Sequence, residues 1–331
     1  MARLRVAVIG CGPNGRRGYM AHLKTFDDVD IVAVCDPVAA ARDGAGDEFG
    51  VARRYADVDE LLDAETLDAA FVITPVQFNA PTALKCLEHG VNTEVTKPPG
   101  LSVAETKGLR EAAERTGAKA MVSWSYRFHP IVTQALKMVT ARGPVVQVVG
   151  EFHKSIRGLG SHGATAASPG RADFPEFVMD NMLLESPIHT IDLLRVFAGA
   201  DVAEVHSVVR RATSRYKDVF AALIVFENGC VGHLISNYTT DARLQRYEIH
   251  GRDISAYLEG ISRGWVLCDG ERHELDEIGT QGRREDIRYF LDCIKEDRPV
   301  SLPAANLDEG IKTMELAEAI LAGLRPEPPP A

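Results

Sequence analysis

The sequence predicts an α/β protein, with an N-terminal doubly wound parallel sheet followed by a C-terminal α/β domain built on a large, mostly antiparallel open sheet. Three observations predict it. Short β-branched apolar runs alternate with helix-prone stretches through the first third of the chain. A glycine-rich turn follows the first of those runs directly. Beyond Val145 the apolar runs lengthen, alternate with polar residues and are joined by hairpin signals.

Arg5–Ile9 (RVAVI) is apolar throughout, as a parallel strand covered on both faces requires. Pro13 to about Thr25 reads as a helix, Ile31–Cys35 (IVAVC) as the second strand, and Val38–Phe49 as an Ala-rich helix. A short strand near Arg54, a short helix at Asp59–Leu62 and a strand at Ala69–Ile73 follow. Ala80–His89 reads as a helix closed by Gly90, and Val103–Thr116 as one closed by Gly117, because glycine takes the left-handed conformation that ends a helix. Val91–Val95 and Lys119–Val122 complete the strands. Alternation of this kind implies right-handed βαβ units. The boundary is placed near Trp124, giving domains 1–124 and 125–331.

In the second domain the strands are Val145–Phe152, Glu204–Val209, Ala221–Phe226, Val231–Tyr238, Arg246–His250, Ser255–Glu259 and Trp265–Cys268. Glu227-Asn228-Gly229, Glu259-Gly260 and Asp269-Gly270 read as hairpin turns. Helices at Ile131–Ala141, Glu185–Phe197, Glu285–Asp297 and Asn306–Leu324 are expected to cover one face of this sheet. Ser155–Phe174 has no periodicity and reads as a long loop of functional or mobile character. Trp124 and Trp265 read as core, and the Pro-rich tail Pro326–Ala331 as frayed.

A chain of 331 residues suggests about two domains. Its 45% hydrophobic and 25% charged residues exclude a disordered, collagenous or coiled-coil protein. A net charge of -10 argues against nucleic acid or an anionic membrane as the main partner. The 6 cysteines form no C-x-x-C pair and show no zinc spacing, so reduced thiols and no metal are expected. The N-terminus does not read as a signal peptide, and no apolar run approaches the ~18 residues of a membrane span. A cytoplasmic protein is the expectation.

Gly10-Cys11-Gly12-Pro13-Asn14-Gly15 is G-x-G-x-x-G, placed between a strand and a helix. In that context the first glycine makes the turn, the second admits a pyrophosphate to the backbone, and the third lets helix and strand pack closely. The helix start supplies N–H donors and a positive dipole end. Asp36 ends the second strand, ~20 residues past the last glycine, where a carboxylate binds ribose hydroxyls and repels a 2′-phosphate. This points to a Rossmann-type domain with NAD as cofactor. Arg42 keeps NADP open.

Beyond the glycine turn, Thr74-Pro75, Thr96-Lys97-Pro98, Tyr126-Arg127-Phe128-His129-Pro130 and the segment Glu185-Ser186-Pro187-Ile188-His189 with Asp192 stand in order along the chain. In these motifs the sequence resembles the Gfo/Idh/MocA oxidoreductases over essentially its whole length. Three positions depart from the family pattern: Thr96 where a Glu is usual, Glu185 where an Asp is usual, and Asn79 where a His often follows T-P.

The resemblance implies an NAD(P)-dependent dehydrogenase that moves a hydride between nicotinamide and a carbinol of a sugar, polyol or related hydroxy compound. The nicotinamide does the redox chemistry, so the protein must supply a base. Lys97 is the candidate acid/base, because it follows a parallel strand at the end where such sheets bind ligands; burial and a nearby positive charge favour a neutral amine. His189 and Glu185 are read as i+4 and i on one helix, sharing a face as further catalytic residues. Asp192 is read as a brace for its helix or for a backbone turn. Thr74, Pro75, Lys97 and Arg127 join Gly10, Gly12, Pro13, Asn14, Gly15 and Asp36 as cofactor-binding candidates; packing is an equal reading for Arg127. Lys97, His153, Lys154, Arg157 and Tyr238 are substrate candidates, solvated loop charges being the alternative for His153, Lys154 and Arg157. The resemblance also implies that a second subunit covers the open sheet, giving a homodimer or homotetramer. Two other classes stay open: NAD-assisted glycosidic cleavage without net redox change, and a non-catalytic dinucleotide-sensing module.

Overall fold

The computed structural model describes residues 3–155, 179–275 and 282–326. Arg157, most of the expected loop at Ser155–Phe174 and the tail beyond Pro326 lie outside the described residues. The chain folds as two compact units, Met1–Phe128 with Gln281–Ile311, and His129–Thr280 with Lys312–Ala331.

In the first unit, six strands among the described residues are β1 (Leu4–Ile9), β2 (Val29–Cys35), β3 (Arg53–Tyr55), β4 (Ala69–Val72), β5 (Asn92–Thr96) and β6 (Ala120–Ser123). All are parallel, in the order β3-β2-β1-β4-β5-β6. This is the doubly wound order, with its switch point between β1 and β4, whose side chains are almost wholly buried. The helical stretches are Asn14–Met20 running into Ala21–Leu23, Ala39–Phe49, Val58–Ala64, Val76–Glu88 and Val103–Thr116. The helix read as Ala80–His89 therefore starts earlier, at Val76, and carries Pro81 inside it. Proline removes one N–H donor, which resembles a helix start in sequence. Burial of Asn79, Ala80, Ala83, Cys86 and Leu87 holds the turn before it in place.

Helix Gly282–Lys295 requires a correction. The sequence reading put it on the second sheet, within 125–331. Its Ile287, Phe290, Leu291 and Cys293 instead join Val6, Tyr19, Phe71 and Met121 in one core, and Phe290 meets Phe71 edge-on at 6.1 Å. A single cut after Trp124 is thus crossed by a segment that returns to the first unit.

Beneath that helix lies a buried polar group. Glu94 on β5 is fully buried, near Tyr19, Ser123, Arg283 and Asp286. Burial pushes its carboxyl well above the ordinary 4.5, Asp286 pushes the same way, and Arg283 opposes them. The folded chain therefore keeps a proton that the unfolded chain releases above the ordinary value. In that window stability falls as the pH rises. Glu94→Gln should remove this dependence, so its melting temperature gains on the parent as pH rises from about 5 to 8. Parallel melting curves for the two proteins across that range would contradict the assignment.

In the second unit the strands are β7 (Gln147–Ser155), β8 (Val202–Arg210), β9 (Val219–Phe226), β10 (Val231–Asn237), β11 (Thr239–Gly251), β12 (Ile254–Glu259), β13 (Arg263–Cys268) and β14 (Glu271–Glu274). They run in the order β14-β13-β12-β11-β7-β10-β9-β8, antiparallel except for the β7/β10 pair. Asp269 and Gly270 both have positive φ, +54° and +79°, as a tight hairpin turn demands, and they lead into β14. Sequence reading stopped short of β14 because Glu271–Glu274 carries no apolar residue. Helix Pro130–Thr140 packs on β11, β12 and β13, and helix Ile188–Ala198 on β7 and β10. The other face leaves Val208, Leu223 and Ile235 exposed. Trp265 is on that side and only half-buried, stacked on Tyr257 at 5.7 Å with Arg272 above it, so it is not a core residue. Trp124 is buried as expected.

Candidate active site

The carboxyl ends of β2, β1, β4 and β5 lie side by side and bring together Asp36, the glycine turn, Thr74-Pro75 and Lys97. Gly10 N–H donates to Cys35 O (2.8 Å) and Ile73 N–H to Ile9 O (2.7 Å), which fixes the turn against both neighbours. Gly10 has φ +103°, and a Cβ there would stand 2.2 Å from Ile73 O. A Cβ on Gly15 would stand 1.9 Å from Gly10 O. A Cβ on Gly12 would meet nothing within 4 Å. Two glycines are thus required by the chain's own packing, and the third faces open space where a pyrophosphate can approach. Pro13 and Asn14 are exposed at the start of the helical stretch.

Asp36 follows β2 directly. Its Oδ2 accepts from Cys11 N–H (2.8 Å) and its Oδ1 from Val38 N–H (2.8 Å), so the carboxylate is held in place beside the glycine turn. Arg42 donates to Asp36 O at 3.0 Å. Burial, helped by Asp36, pushes the Cys11 thiol up to about 12, and burial does the same for Cys35 and Cys86. These thiols stay protonated and unreactive. The open glycine, the oriented carboxylate and the helix start all fit a dinucleotide.

Thr74 is half-buried, and its hydroxyl donates to Asn79 Oδ1 at 2.9 Å. Pro75 is exposed. Lys97 is half-buried, one residue beyond β5, between the buried Thr96 and Pro98. Asn79, which the sequence marked only as a departure, donates to the carbonyls of both Thr96 and Pro98. Arg127 is buried, and its guanidinium contacts Glu309 (3.2 Å) and Pro303 O (3.4 Å), tying Phe128's segment to the returning one.

In the second unit Glu185 is the hub. Lys154 Nζ from β7 lies 3.3 Å from both its carboxylate oxygens. The Tyr238 hydroxyl, just past β10, lies 2.9 Å from Met182 O and 3.2 Å from Glu185 Oε2. Ser186 Oγ also donates to Oε2. Lys154 and Tyr238, expected as substrate contacts, are therefore engaged with Glu185, and burial raises the Tyr238 phenol well above its ordinary value. Glu185 and His189 do not share a helix face. Glu185 sits in a turn and the helix begins at Ile188, with Pro187 as its N-cap. His189 is buried in the first turn of that helix. Asp192 accepts from Thr313 at 3.1 Å, which also accepts from Arg195, so it braces the helix as expected. His153 pairs with Asn237 at 2.9 Å.

The strand order and glycine turn define a dinucleotide-binding Rossmann domain. Residues 4–124 match the model of the oxidoreductase family with an NAD-binding Rossmann fold, and residues 140–257 match the GFO/IDH/MocA C-terminal domain. The chain belongs to the Gfo/Idh/MocA oxidoreductases and is a dehydrogenase of that family. It is 26% identical to the scyllo-inositol 2-dehydrogenase (NAD(+)) of Bacillus subtilis over 89% of this chain and 87% of that one. It is 27% identical to the D-apiose dehydrogenase of Paraburkholderia graminis over 98% and 88%. Among solved structures it superposes on an oxidoreductase from Agrobacterium radiobacter, in complex with NAD+, L-tartaric acid and magnesium, with a TM-score of 0.81, 21% identity and coverage of 97% and 96%. Among the described residues no helix is long and apolar enough to cross a membrane, and no group of three His, Cys, Asp or Glu residues could hold a metal ion.

Proposed function

We propose that this chain is an NAD-dependent dehydrogenase of a sugar, polyol or related hydroxy compound, with Lys97 as its acid/base. The observation that carries the reading is the placement of Lys97 at the carboxyl end of β5, on the same sheet edge as the open Gly12 and Asp36. The glycine turn and Asp36 would hold NAD, which would supply the hydride acceptor for the carbinol carbon. Lys97 takes the hydroxyl proton. His189 holds the reacting oxygen or relays its proton, and Glu185 orients substrate or imidazole from a carboxylate fixed by Lys154, Tyr238 and Ser186. The names of the inositol and apiose relatives support this substrate class. A panel of inositols, pentoses and hexoses with NAD, followed at the NADH absorbance, tests it. Absence of steady NADH formation with every compound would overturn the reading and favour non-redox glycosidic cleavage or a binding role.

Cofactor choice follows from Asp36, whose carboxylate opposes a 2′-phosphate. Because it also holds Cys11 N–H, Asp36→Asn, which keeps an acceptor, is a cleaner variant than Asp36→Ala. Either substitution should narrow the preference for NAD over NADP, with Asn disturbing the glycine turn less. Tighter binding of NADP than NAD by the parent protein would end the assignment.

Assembly through the second sheet completes the proposal. Val208 opposes Ala221 and Ala221 opposes Ile235 across β8, β9 and β10, and Val208 and Ile235 are 43% and 45% exposed. An apolar row of this kind is costly in water and is buried by a second copy in a homodimer or homotetramer. Light scattering at micromolar concentration should return a multiple of the chain mass, reduced by Ile235→Glu. A single-chain mass for the parent would rule this out.

A further inference from the structure

We propose that Asn79 is a positioning residue that clamps the main chain on both sides of Lys97 and ties it to the Thr74 turn; this rests on the reading of Lys97 as the acid/base. Asn79 is fully buried in the first turn of helix Val76–Glu88. Its Nδ2 donates to Thr96 O at 3.1 Å and to Pro98 O at 2.8 Å, and its Oδ1 accepts from Thr74 Oγ1 at 2.9 Å. Lys97 is the one residue between the two clamped carbonyls.

The chemistry of the three partners selects the side chain. Two carbonyl oxygens require two N–H donors, and a hydroxyl proton requires an acceptor; a primary amide supplies that set. A carboxylate at this position would accept from Thr74 but face two carbonyl oxygens without a proton to give. A neutral imidazole has one donor for two carbonyls. A leucine leaves the two carbonyls of buried Thr96 and Pro98 unsatisfied and takes the acceptor from the half-buried Thr74 hydroxyl. The amide therefore joins the end of β4 to the end of β5, the two strand ends that carry Thr74 and Lys97. It starts the Lys97 side chain from a fixed Cα. Turnover is sensitive to such placement, since a shift of about 1 Å at a reacting group can cost about 10²-fold.

The test measures kcat, its pH profile and NAD affinity for Asn79→Asp and Asn79→Leu, each alone and combined with Lys97→Ala, using the panel compound that the parent turns over fastest. Each single variant should lower kcat by about 10- to 100-fold and displace the limb of the pH profile that reports Lys97, with NAD affinity nearly retained. In the Lys97→Ala background the same substitutions should lower kcat little further, because residues that act through one group are not additive. Thr74→Val leaves both carbonyl bonds in place and should give a smaller loss in the same direction. It carries the test if the Asn79 variants do not fold. Unchanged kcat in the folded Asn79 variants, or in Thr74→Val when it alone folds, overturns the proposal. So does a loss that persists in full without Lys97. Retention of turnover by Lys97→Ala alone is a separate outcome that overturns the acid/base reading and, with it, the role given to Asn79.

Discussion

Lys97→Ala should lower kcat by about 10²–10⁴-fold, the range over which a general acid–base group contributes, while NAD affinity stays close to that of the parent. The two effects separate because cofactor recognition is built elsewhere. Gly10, Gly12 and Gly15 shape the turn at the end of β1, and Asp36 is held by Cys11 and Val38 at the end of β2. Lys97 stands beyond β5, anchored through its neighbours' carbonyls. Lys97→Arg should not restore turnover, since a guanidinium remains protonated and cannot take the hydroxyl proton. Steady-state kinetics with the best panel compound, beside an NAD titration of each variant, decide the matter. Most of the parent's turnover in Lys97→Ala would make Lys97 structural, and the threonine at position 96 would then mark a site with altered chemistry.

Gly10→Ala should weaken NAD binding by about 10- to 100-fold, corresponding to about 1–3 kcal/mol. An L side chain at φ +103° is strained before any contact is counted, and its Cβ would stand 2.2 Å from the Ile73 carbonyl. The turn must move away from Ile73 to admit it, which disturbs the Gly10 N–H bond to Cys35 O and the Ile73 N–H bond to Ile9 O. Gly12→Ala makes the contrasting case. Its Cβ meets no protein atom within 4 Å, so the apo fold should tolerate it and only the approach of the pyrophosphate should suffer. Thermal melts without cofactor and fluorescence titration with NAD separate the two variants. Equal melting temperatures and equal NAD affinities for both variants and the parent would refute this account of the cradle.

What the sequence determined by itself is local. The six strands of the first sheet, the glycine turn, Asp36 at the end of β2 and the hairpins of the second sheet were legible because each signal lies within a few consecutive residues. A β-branched run, a helix-closing glycine or a glycine pair in a hairpin states its conformation without knowing its neighbours. The tertiary structure alone decided which distant groups meet. Helix Gly282–Lys295 shows an apolar stripe in its sequence, but a stripe carries no address, and only packing against Phe71 and Met121 assigns it to the first sheet. The Glu185–His189 spacing suggested one helix, yet the turn before Pro187 gave Glu185 to Lys154 and Tyr238, which lie 31 and 53 residues away along the chain. Asn79 looked like a missing histidine until Thr74, Thr96 and Pro98 converged on its amide. Backbone conformation is set largely by nearest-neighbour sterics and hydrogen bonds, which a short segment contains. The partners of a buried polar side chain are set by the folding of separate segments onto one another, and no short stretch of sequence contains that.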